Sequence, residues 1–597
     1  MRTKLIATVI LLASVTLAFF SLRGDSAIMD EVAHLPAGYS YIVKQDMRLN
    51  PEHPPLLKDL AGLSVWGWSK ITGNKINFPD NYKAWTQDIN GQWDFGSYFM
   101  YQAGNNADAM LFWGRLPFLL LMLLLGFFVF RWAKELYGDK AALLATVLYA
   151  FSPTVLAHCR FVTTDVGAAT AFFIALYYFS HWLKTPDWKN TAKAGLIFGL
   201  ALLAKFSTVL LIPAFILLTL VYVFLKEKEQ KFITRFSNYF GKLLSLGLVG
   251  IIFVVIPVYL FHVWHYPAGL QQRDIDFILG SSPVHLVPSL LHWMAGKPVL
   301  RALAQYLFGV AMVFQRALGG NTTYFMGEVA SLGWKSYFPI TYLIKETLAL
   351  HLLTLIAFFY FLKNLYCGRN NQHNFALWLK SVFPQLSMLT VVVIYWYTSV
   401  FSANLNIGVR HILPTFPFIY LLVSGQISLW LNDDTCVSNC FLNNSRFKKG
   451  LVAFILAFGV ASVVAVYPSF LAYFNESIGG PQNGYKYTVD SNLDWGQDLK
   501  RLKTWADQNG VDKIYLDYFG GSSPDYYFGN RALVWHGHYQ REQLTQSNYL
   551  ALSMTYRQND LGRPTSSFNG KNGYYRWLEN LEPVAKIGQS IWVYKIK

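Results

Sequence analysis

The sequence contains little charge and few cysteines. Only 14% of its 597 residues are charged, against about 25% in a typical soluble domain. Hydrophobic residues make up 53%. A disordered chain needs low hydrophobicity and high charge, so this balance excludes one. An ordinary soluble enzyme is also disfavoured, because the apolar residues lie in long blocks. Four cysteines are too few for a disulfide framework.

These long apolar blocks predict a polytopic α-helical membrane protein. A helix that crosses a hydrocarbon core about 30 Å thick needs roughly 20 apolar residues. About eleven blocks qualify, and the first is interpreted as a retained helix rather than a cleaved signal peptide. The predicted spans are residues 5–20, 111–131, 141–157, 166–183, two short helices within 194–225, 243–264, 340–362, 381–400, 410–430 and 450–472.

The basic residues follow the predicted topology. The net charge is +16, from 50 basic and 34 acidic residues. With a cytoplasmic N-terminus, every short cytoplasmic loop is basic, as the positive-inside rule requires. Nucleic-acid binding is therefore disfavoured, because no single basic face remains to follow a phosphate backbone. Cys436 and Cys440 share one such loop without a second ligand pair, so we expect no zinc site there.

The topology divides the chain into two domains. Residues 1–472 form the transmembrane domain, with long extracytoplasmic loops at about 21–110 and 265–339. Residues 473–597 are polar and aromatic and form an extracytoplasmic domain. Strand patterns at 513–519, 549–555 and 590–596, with a helix at 498–508, predict a small α/β fold for it.

Four groups of polar residues fall on the predicted extracytoplasmic side. The four groups are Asp30-Glu31, the segment Asn50 to Lys58 with His53, the segment Arg160 to Asp165, and the segment Asn406 to His411 with Arg410. In addition, Lys205 lies near the meeting point of the two short helices. Each group alone also fits a structural role: a solvated acid pair, a proline-rich helix start, an Arg160–Asp165 pair that fixes a loop, or a snorkelling Lys205. Together they bring acids and cations to one membrane depth. This arrangement suits an anionic lipid-linked substrate, because cations can hold its phosphate while a carboxylate accepts a proton from an acceptor hydroxyl.

In chain order these motifs resemble the protein O-mannosyltransferase family and its bacterial relatives, including the aminoarabinose transferases that modify lipid A. The family pattern has an early Asp-Glu pair, matched by Asp30-Glu31. It has a His-Pro-Pro-(Leu/Phe)-x-Lys segment, matched by His53 to Lys58, and an Arg with an Asp five residues later, matched by Arg160 and Asp165. Segments 327–339 and 490–499 look like those of bacterial phospholipid-carrier-dependent glycosyltransferases.

The resemblance implies a GT-C membrane glycosyltransferase of a bacterial inner membrane. Such an enzyme takes a sugar from a polyprenyl-phosphate donor on the extracytoplasmic side and passes it to a glycolipid or protein acceptor. The implied catalytic residues are Asp30 as general base, Glu31 to orient the acceptor or the sugar, and Asp165 to support the same cavity. The implied lipid-phosphate ligands are His53, Lys58 and Arg160, and topology adds Lys205 and Arg410.

The expected reaction is a single displacement with inversion at the anomeric carbon. No D-x-D motif lies beside Asp30, so we expect no metal and no cofactor beyond the lipid-linked co-substrate. One alternative is a transporter or flippase of lipid-linked sugars, which predicts midplane charges and inverted repeats that the sequence lacks. Another is a ligase that uses a polyprenyl-diphosphate glycan donor.

Overall fold

The computed structural model describes residues 1–226, 231–282, 284–368, 375–433 and 444–596, so Cys436 and Cys440 lie outside the described residues. The α-helices, in chain order, are α1 (Arg2–Ser21), α2 (Met29–Lys44), α3 (Leu56–Thr72), α4 (Lys83–Thr86), α5 (Gln92–Tyr101), α6 (Ala107–Ala150), α7 (Pro153–His158), α8 (Asp165–Lys184), α9 (Trp188–Leu202), α10 (Leu211–Leu225), α11 (Phe232–Gly250), α12 (Ile256–His262), α13 (Ala268–Leu279), α14 (Leu286–Ala295), α15 (Leu300–Gly319), α16 (Tyr337–Lys345), α17 (Leu348–Gly368), α18 (Phe375–Ser381), α19 (Phe383–Tyr397), α20 (Phe416–Asn432), α21 (Ser445–Val464), α22 (Leu499–Gln508), α23 (Pro524–Phe528) and α24 (Met554–Leu561). The strands are β1 (Thr323–Phe325), β2 (Glu328–Ala330), β3 (Ile514–Asp517), β4 (Ala532–Val534), β5 (Tyr549–Ser553), β6 (Arg563–Pro564), β7 (Ala585–Ile587) and β8 (Ile591–Lys595).

The helices confirm a polytopic α-helical membrane protein. Within the described ranges, nine helical segments are long and apolar enough to cross a membrane. The count of about eleven spans stays a prediction. Helix α6 has 44 residues and breaks at Gly138, where φ is 83°. It contains the predicted span 111–131 and the first part of the predicted span 141–157, whose last residues lie in α7. Helix α9 has 15 residues and is shorter than a full span.

The two short helices predicted around Lys205 are present. Helix α9 ends at Leu202, and a 3₁₀ turn at Phe206–Leu210 leads into α10. Between them Lys205 has extended backbone, with φ −158° and ψ 142°. This break places Lys205 between two apolar helices and outside both of them.

The two ends of the helix bundle carry different polar residues. At one end the predicted cytoplasmic loops meet: the Thr3 hydroxyl donates to Asp139 at 3.1 Å, and the Lys140 ammonium donates to Asn432 at 2.7 Å. Asp30 and Asp165 each contact Arg410 at the other end. The fold therefore separates the polar residues of the predicted cytoplasmic loops from the candidate site residues.

Helices α2 and α3 of the first long loop pack backbone to backbone. A Cβ atom on Gly38 would lie 2.0 Å from the carbonyl oxygen of Lys58, and one on Gly62 would lie 2.3 Å from the Gly38 backbone. Only glycine permits this approach without moving one of the helices. The close packing fixes the start of α2, which carries Asp30, relative to the turn before α3.

The C-terminal region contains the predicted α/β elements. Strands β3, β5 and β8 and helix α22 lie where the sequence predicts them. The five-stranded sheet has the order β4-β3-β5-β8-β7, and β3 is parallel to both β4 and β5. A smaller sheet, β1-β2-β6, joins the second long loop to this region. The segment before α22 returns to the membrane part, where the Met29 N–H donates to the Trp495 carbonyl at 3.0 Å.

Candidate active site

A cavity of about 230 Å³ opens beside the start of α2. Its walls come from α2, α5, α15, the break at Lys205, the end of α19 and the turn before α20. Its lining residues are Asp30, His34, Glu52, His53, Gln92, Trp93, Thr164, Lys205, Phe206, Ser207, Leu210, Val313, Arg316, Ala317, Phe338, Tyr395, Thr398, Ser399, Ala403, Leu405, Ile407, Arg410 and His411. Four of the eight predicted site residues line it: Asp30, His53, Lys205 and Arg410.

Two acids and two cations alternate along one edge of this cavity. One nitrogen of Arg410, Nη1, lies 3.0 Å from Oδ2 of Asp30 and 3.2 Å from Oδ2 of Asp165. The Lys205 ammonium lies 2.6 Å from Oδ1 of Asp165. The Asp165 side chain is fully buried, whereas that of Asp30 is 21% exposed. Of the two carboxylates in this network, Asp30 is therefore the one that a bound molecule can reach.

Arg410 is held in place from the C-terminal side. Its guanidinium carbon lies 4.1 Å from the centre of the Trp495 ring, and its Nε donates to the Ser491 hydroxyl at 3.0 Å. A cation over an indole face is stabilised by the ring quadrupole. The segment 490–499 thus completes the site, and the turn that carries Arg410 depends on it.

A second charged pair lies across the cavity. The Arg316 guanidinium on α15 is 3.2 Å from Oε2 of Glu52, and Gln92 donates to Oε1 of Glu52 at 3.0 Å. The His34 and His53 rings meet edge to face with centroids 4.9 Å apart. Burial is the main cause that lowers the pKa of both imidazoles, so both are neutral at pH 7.

Sequence reasoning missed His34, Glu52, Gln92, Arg316 and His411. His34 is one helical turn after Asp30, and Glu52 and His411 lie within segments already recognised. Those three could have been found from spacing alone. Arg316 could not, because its approach to Glu52 spans 264 residues of sequence.

Glu31 points away from the cavity. Its carboxylate is fully buried and accepts from Nε and Nη2 of Arg115 at 2.8 and 2.6 Å. The N–H groups of Val162 and Ile28 also donate to it, at 3.0 and 3.1 Å. This pairing caps α2 and joins it to α6.

Lys58 also lies outside the cavity wall. Its ammonium donates to the carbonyls of Asn50 and His53, each at 2.8 Å, and to the Tyr41 hydroxyl at 3.1 Å. Burial holds its pKa well below the usual range. In this position Lys58 fixes the turn that presents His53.

Arg160 is fully buried and does not pair with Asp165. Its Nη1 lies 2.5 Å from Asp25, which is also 2.7 Å from Arg501 on α22. This cluster attaches the C-terminal domain to the end of α1. The structure thus brings Asp30, His53, Asp165, Lys205 and Arg410 together, and places Glu31, Lys58 and Arg160 in neighbouring buried clusters.

Comparisons with known proteins agree with this architecture. A family model described as dolichyl-phosphate-mannose-protein mannosyltransferase matches residues 99–261. No curated protein sequence matches the chain. Among solved structures, the S. cerevisiae protein O-mannosyltransferase Pmt1-Pmt2 complex bound to the sugar donor has a TM-score of 0.52 at 10% identity, over 78% of this chain and 90% of that one. This likeness shows a shared fold.

Two further solved structures are similar over most of the chain. ArnT from Cupriavidus metallidurans bound to undecaprenyl phosphate has a TM-score of 0.44 at 12% identity, over 99% of this chain and 98% of that one. The oligosaccharyltransferase of Archaeoglobus fulgidus, tethered with an acceptor peptide, has a TM-score of 0.43 at 13% identity, over 89% of this chain and 63% of that one.

Proposed function

We propose that this chain is a GT-C membrane glycosyltransferase that transfers a single sugar, a mannose-like hexose or an aminopentose, from a polyprenyl-phosphate donor. The match of residues 99–261 to the mannosyltransferase family model and the fold shared with the protein O-mannosyltransferase complex support this proposal. The acceptor is a hydroxyl or phosphate group of a glycolipid or protein on the extracytoplasmic side. The observation that carries this proposal is one cavity that contains an accessible carboxylate, Asp30, beside the cations Lys205, Arg410 and Arg316.

The donor phosphate binds to the cations. Three positive side chains around one small cavity favour an anion, and they offset the charge that develops on the phosphate as it leaves. Such preorganised charges need no divalent metal. Apolar and aromatic residues make up much of the remaining wall and suit the first units of a polyprenyl chain: Phe206, Leu210, Val313, Phe338, Tyr395, Leu405 and Ile407.

Asp30 acts as the general base. The acceptor oxygen attacks the anomeric carbon, its proton passes to the Asp30 carboxylate, and the bond from that carbon to the phosphate oxygen breaks. The electron pair leaves with the polyprenyl phosphate. Base and leaving group on opposite faces of the sugar give inversion. Buried Asp165 positions Arg410 and Lys205 for this step.

The three predicted residues outside the cavity act through others. Glu31 fixes the start of α2 and so orients Asp30. Lys58 holds the turn that presents His53. Arg160 ties the end of α1 to α22 through Asp25. We assign them positioning roles in the proposed reaction.

The proposal is tested with purified protein, labelled polyprenyl-phosphate sugars and a panel of glycolipid and peptide acceptors. Wild-type protein is expected to move label onto an acceptor. Asp30→Asn should lower turnover about a thousand-fold, in the range of general-base losses, with donor affinity retained. Asp94→Asn makes the same change at an exposed carboxylate of the first long loop that contacts Tyr82, and it should leave turnover unchanged.

Three results would contradict the proposal. Near-wild-type turnover in Asp30→Asn would show that Asp30 is not the general base. Label that crosses the membrane of proteoliposomes without forming a new covalent product would instead support the transporter alternative. Transfer only from diphosphate-linked glycans would support the ligase alternative.

A further inference from the structure

The C-terminal domain contains a second cavity, of about 440 Å³, that the proposed reaction does not use. It lies at the ends of strands β3 and β4, beside the junction between β5 and helix α24. Asp517 is the last residue of β3, His536 follows β4 by two residues, and Tyr556 is in the first turn of α24 after β5. The cavity is therefore at the carboxyl edge of the parallel part of the sheet.

The strand order makes this edge a switch point. Strand β3 pairs in parallel with β4 on one side and with β5 on the other, so the connection from β3 runs to one side and the next connection, from β4, crosses back to the other side of β3. In open α/β sheets, ligands bind in the crevice outside the carboxyl ends of the strands at such a point. This topology explains why the cavity forms where it does.

The wall of the cavity combines aromatic rings with hydrogen-bonding groups. Tyr556 and Tyr574 are 40% and 39% exposed, so part of each ring is open to a ligand. Asp560 is fixed by the N–H groups of Tyr574 and Tyr575 at 3.1 and 2.7 Å. The other polar groups of the lining are those of Asp517, His536, His538, Asn559, Lys571 and Asn572.

We propose that this cavity binds a pyranose ring of a carbohydrate. A sugar presents apolar C–H faces that pack on half-exposed tyrosines, and hydroxyls that carboxylates and amides can hydrogen-bond. Asn559 belongs to this lining, and its Oδ1 is buried without a hydrogen-bond partner among the described residues. Two carboxylates against one lysine disfavour a phosphate or nucleotide.

A loop links this cavity to the start of α2. Residues 518–522 follow Asp517 directly, and within them Phe519 packs on Tyr556 with ring centroids 5.7 Å apart. The Ser522 hydroxyl accepts from the Ala27 N–H at 2.7 Å, three residues before Asp30. The occupant we assign is therefore the sugar part of the acceptor. That assignment rests on the proposed function, whereas carbohydrate binding does not.

Saturation-transfer NMR on the full-length protein in detergent tests the inference. The probes are methyl α-mannoside, methyl α-glucoside, methyl α-galactoside and methyl β-N-acetylglucosaminide. At least one should give a signal, and Tyr556→Ala and Tyr574→Ala should each reduce it at least fivefold. Tyr526→Ala is the matched control, because Tyr526 is 38% exposed in the same domain and does not line the cavity.

The same signal should persist in Asp30→Asn, which separates this site from the catalytic one. A failure of the proposed function would leave the tyrosine-dependent signal intact. The inference is overturned if no probe binds, if both tyrosine variants bind as wild type does, or if the signal is lost equally in Tyr526→Ala. Once an acceptor is known, Tyr574→Ala should raise its KM at least fivefold with the donor KM unchanged.

Discussion

Asp30 and Glu31 are neighbours in sequence and occupy opposite environments. Asp30 faces the cavity within a network that shares Arg410 between two carboxylates. Glu31 faces the interior, where Arg115 donates to both of its oxygens. The first environment is open to a ligand, and the second is closed. The pair thus divides into one carboxylate that a ligand can reach and one that is buried in an ion pair.

The same division extends to the cations. Arg410 and Lys205 line the cavity, while Arg115 and Arg160 are buried against Glu31 and Asp25. A buried ion pair offsets a large desolvation cost only while both partners remain. Mutations in the buried pairs of Glu31 and Asp25 should therefore lower the unfolding free energy. Mutations of Lys205 and Arg410 should instead weaken ligand binding or lower turnover.

The largest expected effect is at Glu31. Glu31→Ala leaves the Arg115 charge buried without its carboxylate, which should cost about 3–5 kcal/mol of unfolding free energy. Denaturant unfolding in detergent, followed by tryptophan fluorescence, measures this loss. Asp30→Asn, one residue away, should change the unfolding free energy by less than about 1 kcal/mol. Equal destabilisation by both variants would contradict the distinction between a structural Glu31 and a ligand-accessible Asp30.

Arg160→Ala should be less severe. Asp25 keeps its contact with Arg501 at 2.7 Å when Arg160 is removed. The expected loss is about 1.5–3 kcal/mol, the range for a hydrogen bond to a charged group. Affinity for polyprenyl phosphate should stay within twofold of wild type. A strong loss of that affinity in a protein of normal stability would return Arg160 to the lipid-phosphate site.

Lys205→Met should act on binding. Removal of the ammonium takes one cation from the cavity, and we expect about 30-fold weaker binding of polyprenyl phosphate, or about 2 kcal/mol. Lys44→Met is the control, because Lys44 pairs with Asp80 on the surface and does not line the cavity. Titration of both variants with the lipid measures the difference. Unchanged affinity in Lys205→Met would contradict the assignment.

The sequence predicted the fold class, the break at Lys205 and the main elements of the C-terminal domain, because hydrophobic periodicity and turn residues are local signals. The predicted topology alone placed Asp30, Asp165 and Arg410 at one end of the bundle. It did not separate Asp30 from Glu31. Which way a charged side chain points depends on partners such as Arg115, 84 residues away, and no local pattern records such a contact.

The smallest effect concerns Asp494, which is buried like Glu31 but accepts from the Thr555 N–H at 2.9 Å instead of from an arginine. Burial raises its pKa to about 8. Because the folded pKa lies above the unfolded value of 3.8, the stabilising contribution is complete below that value, falls as pH rises and is lost above 8. Between pH 7 and 9 the unfolding free energy should fall by about 1.4 kcal/mol.

Asp494→Asn should remove that part of the pH dependence, because an amide keeps the shape of the side chain and does not ionise. Ser590→Ala, a buried change in the same domain that leaves Asp494 intact, is the control and should keep the wild-type slope. Melting temperatures of the wild type, Asp494→Asn and Ser590→Ala, measured from pH 7 to 9, test this prediction. A wild-type slope in Asp494→Asn would mean that Asp494 does not cause this pH dependence, and that burial without a cation does not shift its titration into the range from pH 7 to 9.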